Sequence, residues 1–125
     1  MNKTEFLLTI KSILKEQAFH KKGNYWYRQT DSFLLCIYVQ GSQWNKNDYY
    51  VEIGTAQSCV DSPTPTITQW YCRHRCYGQN GELNILPIEL FDCIDDLLTS
   101  IKKMGDVETY LFSKNAVKVA TQYWF

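Results

Sequence analysis

The sequence predicts an α+β fold, in which a mainly antiparallel sheet of four or five strands is packed on one side by helices. Two amphipathic segments, residues 3–18 and 88–104, carry apolar residues at helical spacing. Between them, short runs rich in aromatic and β-branched residues alternate with turn signals, which is typical of antiparallel strands. At 125 residues, the chain is expected to form a single domain, residues 1–125.

The first helix is predicted from one apolar stripe and a capping residue. The stripe consists of Phe6, Leu7, Ile10, Ile13, Leu14 and Ala18. Asn2 can accept a hydrogen bond at the helix start, with Glu5 as its capping-box partner. Residues 19–24 are then expected to turn the chain, since Gly23 tolerates a positive φ.

Four strands are predicted, at residues 25–29, 33–40, 49–55 and 68–77. The second of them is a nearly continuous apolar run, which indicates a strand covered on both faces. Residues 30–32 are expected to form a turn, and residues 58–66 a loop that contains two prolines. The turn signal at residues 78–81 predicts a hairpin that leads into a further strand at residues 82–85.

The second helix is predicted to begin at Pro87, whose missing N–H costs little at that position. Its apolar stripe consists of Leu90, Phe91, Ile94, Leu97, Leu98 and Ile101. Gly105 suits the position just after its end. Asp106 is then expected to cap a shorter third helix that reaches about residue 112. Residues 116–125 are compatible with either helix or strand.

The charges are balanced overall but unevenly distributed. The chain has 13 basic and 13 acidic residues. Residues 1–28 carry six basic against two acidic residues, and residues 82–108 carry two basic against seven acidic residues. No export signal and no run of membrane-spanning length occurs, so a cytoplasmic protein is expected. The five cysteines are then expected to be free thiols.

Residues 70–77 carry most of the side chains that could support chemistry. In an extended strand, alternate side chains share a face. Trp70, Cys72, His74 and Cys76 are therefore expected on one face, and Tyr71, Arg73, Arg75 and Tyr77 on the other. The first set could bind zinc, with Cys59 or Cys93 as a fourth ligand, or provide a reactive thiol beside a histidine.

The second set could bind a single-stranded nucleic acid, since its tyrosines could stack on bases and its arginines could neutralise phosphates. A pI of about 6.7 and a strongly acidic helix argue against this interpretation. The favoured alternative is a solvent-facing strand whose arginines pair with the acidic helix. No catalytic constellation is completed elsewhere, so the chain is expected to be non-enzymatic, without a cofactor.

The acidic residues of the second helix and its C-terminal flank form a candidate contact surface for a basic partner. They are Glu89, Asp92, Asp95, Asp96, Asp106 and Glu108. Those on the helix lie away from its apolar stripe. Complementary charge of this kind accelerates association and fixes the register of a complex.

Several short segments resemble one known family. They are Phe19-His20-Lys21-Lys22-Gly23-Asn24, Tyr25-Trp26-Tyr27-Arg28, Ile37-Tyr38-Val39-Gln40-Gly41-Ser42 and Tyr49-Tyr50-Val51-Glu52-Ile53-Gly54. Residues 5–100 thereby resemble a bacterial family called domain of unknown function 4304. Its members show a GF-K-K-x-G turn, a strand ending in Q-x-S and a strand ending in N-x-G. Ala18 stands where glycine is usual, and Glu52 where asparagine is typical.

The resemblance implies no activity, cofactor or catalytic residue. Small α+β domains of this type are similar to immunity proteins of bacterial toxin–immunity systems, which is an analogy of fold. We therefore expect a protein that occludes a basic, nuclease-like toxin domain through the acidic residues. Trp44, Tyr49 and Tyr71 are the expected aromatic anchors.

Overall fold

The computed structural model describes residues 1–30, 33–57 and 64–103. Its elements are α1 (Lys3–Glu16), β1 (His20–Lys22), β2 (Tyr25–Gln29), β3 (Leu34–Gly41), β4 (Tyr49–Ala56), β5 (Cys72–Cys76) and α2 (Pro87–Lys103). The strands form one antiparallel sheet in the order β1-β2-β3-β4-β5. The predicted α+β class is therefore confirmed.

Both helices pack on the same face of the sheet, as predicted. Their buried residues form one core with the strand residues that point toward them. From the helices come Phe6, Ile10, Leu14, Leu90, Ile94, Leu97 and Ile101, and from the sheet Trp26, Leu35, Ile37, Val39, Val51, Ile53, Cys72 and Cys76. Each large apolar side chain buried in this way contributes about 1.5–3 kcal/mol.

A second, smaller core lies on the opposite face of the sheet. It contains Tyr27, Leu34, Cys36, Ala56 and Trp70, with Tyr25, Tyr38 and Ile67 packed against them. Residues 64–70 cover this face, so β3 is buried on both sides, as its apolar run predicts. Gly54 is essential here, because a Cβ would lie 2.1 Å from the Cys72 carbonyl oxygen and 2.6 Å from the Trp70 indole.

The helix predictions hold with small shifts. Asn2 caps α1 by accepting the Glu5 N–H at 2.9 Å, and Pro87 is the first residue of α2. No helix in the described ranges is long and apolar enough to cross a bilayer. The predictions for residues 31–32, for most of the loop at 58–66, and for everything from Met104 onward lie outside the described residues. These include the Gly105 cap and the third helix.

Three predictions about strands were wrong. Residues 20–22, expected to be part of a turn, form β1, because a two-residue loop at Gly23 and Asn24 pairs them with β2. Residues 67–69 form a single 3₁₀ turn, so β5 begins only at Cys72. Residues 82–85 do not form a strand. Instead, the Asn84 side chain accepts the Tyr49 N–H at 3.1 Å and holds this segment beside the start of β4.

Ala18 has a φ of +66°, which lies in the left-handed region that favours glycine. A glycine at this position would adopt the same conformation without the strain that a Cβ imposes. This conformation reverses the chain after α1, where the Phe19 N–H donates to the Leu14 carbonyl oxygen at 2.9 Å.

We expect Ala18→Gly to raise the free energy of unfolding by about 1 kcal/mol, because it relieves a strained left-handed residue. Gly23→Ala is the matched reverse change, since Gly23 has a φ of +60° and a Cβ there would contact nothing within 4 Å. It should destabilise the protein by a similar amount. Urea denaturation measures both, and an Ala18→Gly variant no more stable than the parent would contradict the assignment of strain.

Candidate functional site

The outward face of α2 carries three exposed carboxylates, Asp92, Asp95 and Asp96. The opposite face is buried through the apolar stripe, so the predicted separation of the two faces is observed. Among the described residues, Arg73 and Arg75 form ion pairs with Glu52 of β4, and no ion pair shorter than 4.0 Å joins Asp92, Asp95 or Asp96 to another described residue. The three aspartates are therefore not neutralised by ion pairs within the described part of the protein.

Glu89 differs from these three aspartates. It is half-buried, and its Oε1 accepts the backbone N–H of Leu86 at 2.8 Å, just before the helix begins. A carboxylate in the first turn of a helix also stabilises the helix dipole. Glu89 thus contributes to the start of α2 itself. Asp106 and Glu108 lie outside the described residues.

A half-open pocket of about 270 Å³ lies between α2 and β5. Its buried lining is apolar and is formed by Ile53, Cys76 and Leu97. The more exposed lining residues are polar and comprise His74, Arg75, Asp96 and Ser100, with the half-buried Cys93 between the two groups. One of the three exposed aspartates of α2, Asp96, therefore borders this pocket directly.

The three predicted aromatic anchors lie in different environments. Trp44 is 84% exposed in the loop between β3 and β4. Tyr71 is half-buried, and its hydroxyl donates to Gln57 Oε1 at 2.8 Å. Asn84 connects the loop of Trp44 to the segment before α2, because its Nδ2 donates to Asp48 Oδ1 at 3.1 Å. Trp44 thus belongs to the same end of the molecule as the start of α2.

The prediction that Tyr49 is an exposed anchor is wrong, because Tyr49 is completely buried. Its ring stacks on Phe6 with a centroid distance of 4.5 Å, and its hydroxyl donates to the Ile85 carbonyl oxygen. Burial, followed by the charges of Glu89 and Glu5, raises the pKa of Tyr49 to about 12. Tyr49 therefore joins β4 to α1 and to the segment before α2.

The zinc cluster considered as an alternative for β5 is not assembled among the described residues. Cys72 and Cys76 are buried in the helix-facing core, whereas His74 is exposed. Trp70 lies on the opposite face, since the strict alternation of a strand does not extend back through the 3₁₀ turn. Throughout the described ranges, no three histidine, cysteine, aspartate or glutamate side chains converge as a metal ion would require.

The arginines of β5 pair with Glu52 of β4, and the prediction that they pair with the acidic helix is wrong. Arg73 binds the carboxylate through Nε at 3.1 Å and a terminal nitrogen at 3.0 Å. Arg75 adds a contact of 3.4 Å, and its guanidinium lies 4.6 Å from the centre of the Tyr50 ring. The side chains of Glu52, Arg73 and Arg75 lie on the face opposite the helices, because they alternate along β4 and β5 with core residues that face the helices.

This cluster was missed as a site by sequence reasoning, although one signal was present. Glu52 is the only charged residue in the apolar strand of residues 49–56, and it is 3% exposed. A buried carboxylate is tolerated only when it is paired and hydrogen-bonded. Because both arginines are occupied by Glu52, they are poorly placed to neutralise the phosphates of a nucleic acid.

Most tyrosines on this face also make their hydrogen bonds and ring contacts within the protein. Tyr25 stacks on Tyr38 at 4.4 Å, and its hydroxyl oxygen accepts the Ile67 N–H at 3.2 Å. The Tyr27 hydroxyl donates to the Pro65 carbonyl oxygen at 2.8 Å, and burial raises its pKa. Tyr77, at the end of β5, is instead 52% exposed. Tyr25 and Tyr27 therefore attach residues 64–70 to the sheet.

A family model described as "Domain of unknown function (DUF4304)" matches residues 10–77, which is more than half of the chain. The chain belongs to this family. Comparisons with curated proteins and with solved structures return no match. The matched residues include β1 to β5 and the Glu52 cluster, whereas the exposed aspartates of α2 lie after them.

We expect Glu52→Gln to lower the free energy of unfolding by about 2 kcal/mol, because it removes the charge that two neighbouring guanidinium groups share. Glu82→Gln is the matched control at an exposed carboxylate and should change stability by less than about 0.5 kcal/mol. Chemical denaturation with both variants measures the difference. Equal stability of the two variants would show that the Glu52 cluster does not contribute to the free energy of unfolding.

Proposed function

We propose that this chain is a non-enzymatic binding protein, an immunity protein that neutralises a basic, nuclease-like toxin domain by covering its active site. In this proposal it acts in the bacterial cytoplasm through steric blockage and charge pairing. No bond is made or broken, and no cofactor takes part.

One observation carries the proposal: α2 presents three exposed carboxylates without ion pairs to other described residues, and one of them, Asp96, borders a half-open pocket. Asp92, Asp95 and Asp96 are held on a helix whose other face is buried, so their positions are fixed before a partner arrives. Like charges at such spacing repel each other by a few tenths of a kcal/mol. A basic partner would relieve that repulsion and would gain electrostatic attraction at the same surface.

The pocket adds a concave, partly apolar shape to the charged surface formed by the aspartates of α2. Its apolar interior, from Ile53 and Leu97, suits the methylene stem of a lysine or arginine side chain from the partner. Asp96 at its border can then pair with the cationic head. Trp44, which is 84% exposed, would supply a second contact near the start of α2.

The decisive experiment is an affinity capture of the tagged protein from its native host, followed by an inhibition assay. Recovery of one polypeptide with a basic toxin domain, in equal amount, is expected. That domain should lose its activity at a one-to-one ratio with this protein. A recovered partner whose activity is unaffected would overturn the immunity function, and recovery of no specific protein would overturn partner binding altogether.

We expect Asp92→Lys combined with Asp96→Lys to slow association with the captured partner by about tenfold or more at low salt, because electrostatic steering is lost. The dependence of the rate on ionic strength should also become flatter. Stopped-flow or surface-binding kinetics at several salt concentrations measure both effects.

The control for this pair is Glu5→Lys combined with Glu16→Lys on α1, where both carboxylates are also exposed. It changes the net charge by the same amount on a different surface. If it slows association equally, total charge governs the encounter and α2 is not the contact surface.

We expect Trp44→Ala to weaken binding by about 2 kcal/mol, in the range of an interface hot spot, without changing thermal stability. Leu8→Ala on α1 is the matched control, because Leu8 is also a large apolar side chain that is 69% exposed. Calorimetric titration measures the affinities. Unchanged affinity for the Trp44 variant would exclude this loop from the interface.

A further inference from the structure

The pocket between β5 and α2 contains a pair of thiols that partner binding does not use. Cys76 is the last residue of β5 and is 3% exposed, whereas Cys93 lies on α2 and is half-buried. Both line the same pocket, and the pKa of each thiol responds to the other. Two free thiols that line one half-open pocket, one buried and one half-buried, suit thiol–disulfide exchange, in which an accessible thiol reacts first and a second thiol resolves the mixed disulfide.

The environments of the two thiols differ in a way that assigns their roles. The hydrogen bond from Cys76 lowers the pKa of Cys93, although partial burial and the carboxylates of Asp96, Asp92 and Glu89 oppose this. The hydrogen bond to Cys93 and burial raise the pKa of Cys76. Because the thiolate is the nucleophile, Cys93 is suited to attack an external disulfide first. Cys76 is suited to the second step, in which it attacks the sulfur of Cys93.

The other described cysteines have neither feature. Cys36 is completely buried on the opposite face of the sheet, and burial raises its pKa. Cys72 is 3% exposed, and its Sγ lies 3.2 Å from Thr55 Oγ1. Neither cysteine lines the pocket, so a small reagent that enters there meets Cys93 first.

We propose that Cys93 and Cys76 form a reversible thiol–disulfide exchange site that reacts with small disulfides of the glutathione type. The Cys93 thiolate attacks one sulfur of the small disulfide, breaks its S–S bond and releases one small thiol. Cys76 then loses its proton and attacks Cys93 Sγ, which releases the second small thiol. The protein is oxidised by two electrons to a Cys76–Cys93 disulfide, and the small disulfide is reduced to two thiols.

The product would have a defined structural effect. It would connect the end of β5 covalently to α2 across the pocket, and thereby fix the wall that carries Asp96. Disulfides of intracellular proteins are commonly transient and redox-sensing, so the site would report an oxidising shift in the cell. This inference does not depend on the proposed partner and can be tested with the protein alone.

The test uses the full chain with Cys59→Ser, which removes the cysteine outside the described residues, and oxidised glutathione as the probe. Intact mass and a non-reducing map with a glutamate-specific protease and trypsin are recorded, because trypsin cleaves after Arg73 and Arg75 and so separates Cys76 from Cys72. The glutamate-specific protease cleaves after Glu82 and Glu89, and so separates Cys76 from Cys93. The expected result is a Cys76–Cys93 linkage, with the release of two equivalents of reduced glutathione.

Two variants test the order of the steps, and Cys36→Ser serves as a control that should behave like the parent. Cys76→Ser should stop at a mixed disulfide on Cys93. Cys93→Ser should react at least about tenfold more slowly than the parent, because the accessible thiol is gone.

A parent protein that accumulates only a mixed disulfide on Cys93 would overturn the proposal. So would a Cys93→Ser variant that reacts as fast as the parent. If Cys76→Ser does not fold, the linkage map of the parent and the rate of Cys93→Ser still decide the matter.

Discussion

The rest of the structure depends on the burial of β3 on both faces. Leu35, Ile37 and Val39 face the helices, whereas Leu34 and Cys36 face the second core. Because side chains alternate with a period of two, a slip of one residue against β4 would exchange the two sets. The register of β3 with β4 therefore fixes the helix-facing core, the second core and every position that β4 presents to β5.

Two polar side chains of β4, on opposite faces of the sheet, fix how the neighbouring elements pack against this strand. Tyr49 faces the helices and joins α1 to the segment before α2 through its ring and its hydroxyl. Glu52 faces the other way and is held by Arg73 and Arg75 of β5. Each of these groups would be costly to bury without its partner, so each favours one packing over its alternatives.

The position of α2 follows from the same constraints, and both surface proposals depend on it. The buried stripe orients the helix, so Asp92, Asp95 and Asp96 face outward, and Cys93 faces β5. A helix packed on an edge strand leaves the pocket between them partly open. Charge on the outer face and a thiol pair inside the pocket are thus two consequences of a single packing contact.

The sequence alone determined the two described helices, four of the five described strands and the outward position of the aspartates, because these depend on periodicity and local capping. It missed β1 and began β5 too early. It also placed the chain in its family from short motifs, and the match over residues 10–77 confirms this. Only the tertiary structure decided which face Trp70 occupies, that Tyr49 is buried, and that Glu52 binds both arginines. These outcomes depend on contacts between residues distant in sequence, and such contacts leave no local periodic signal.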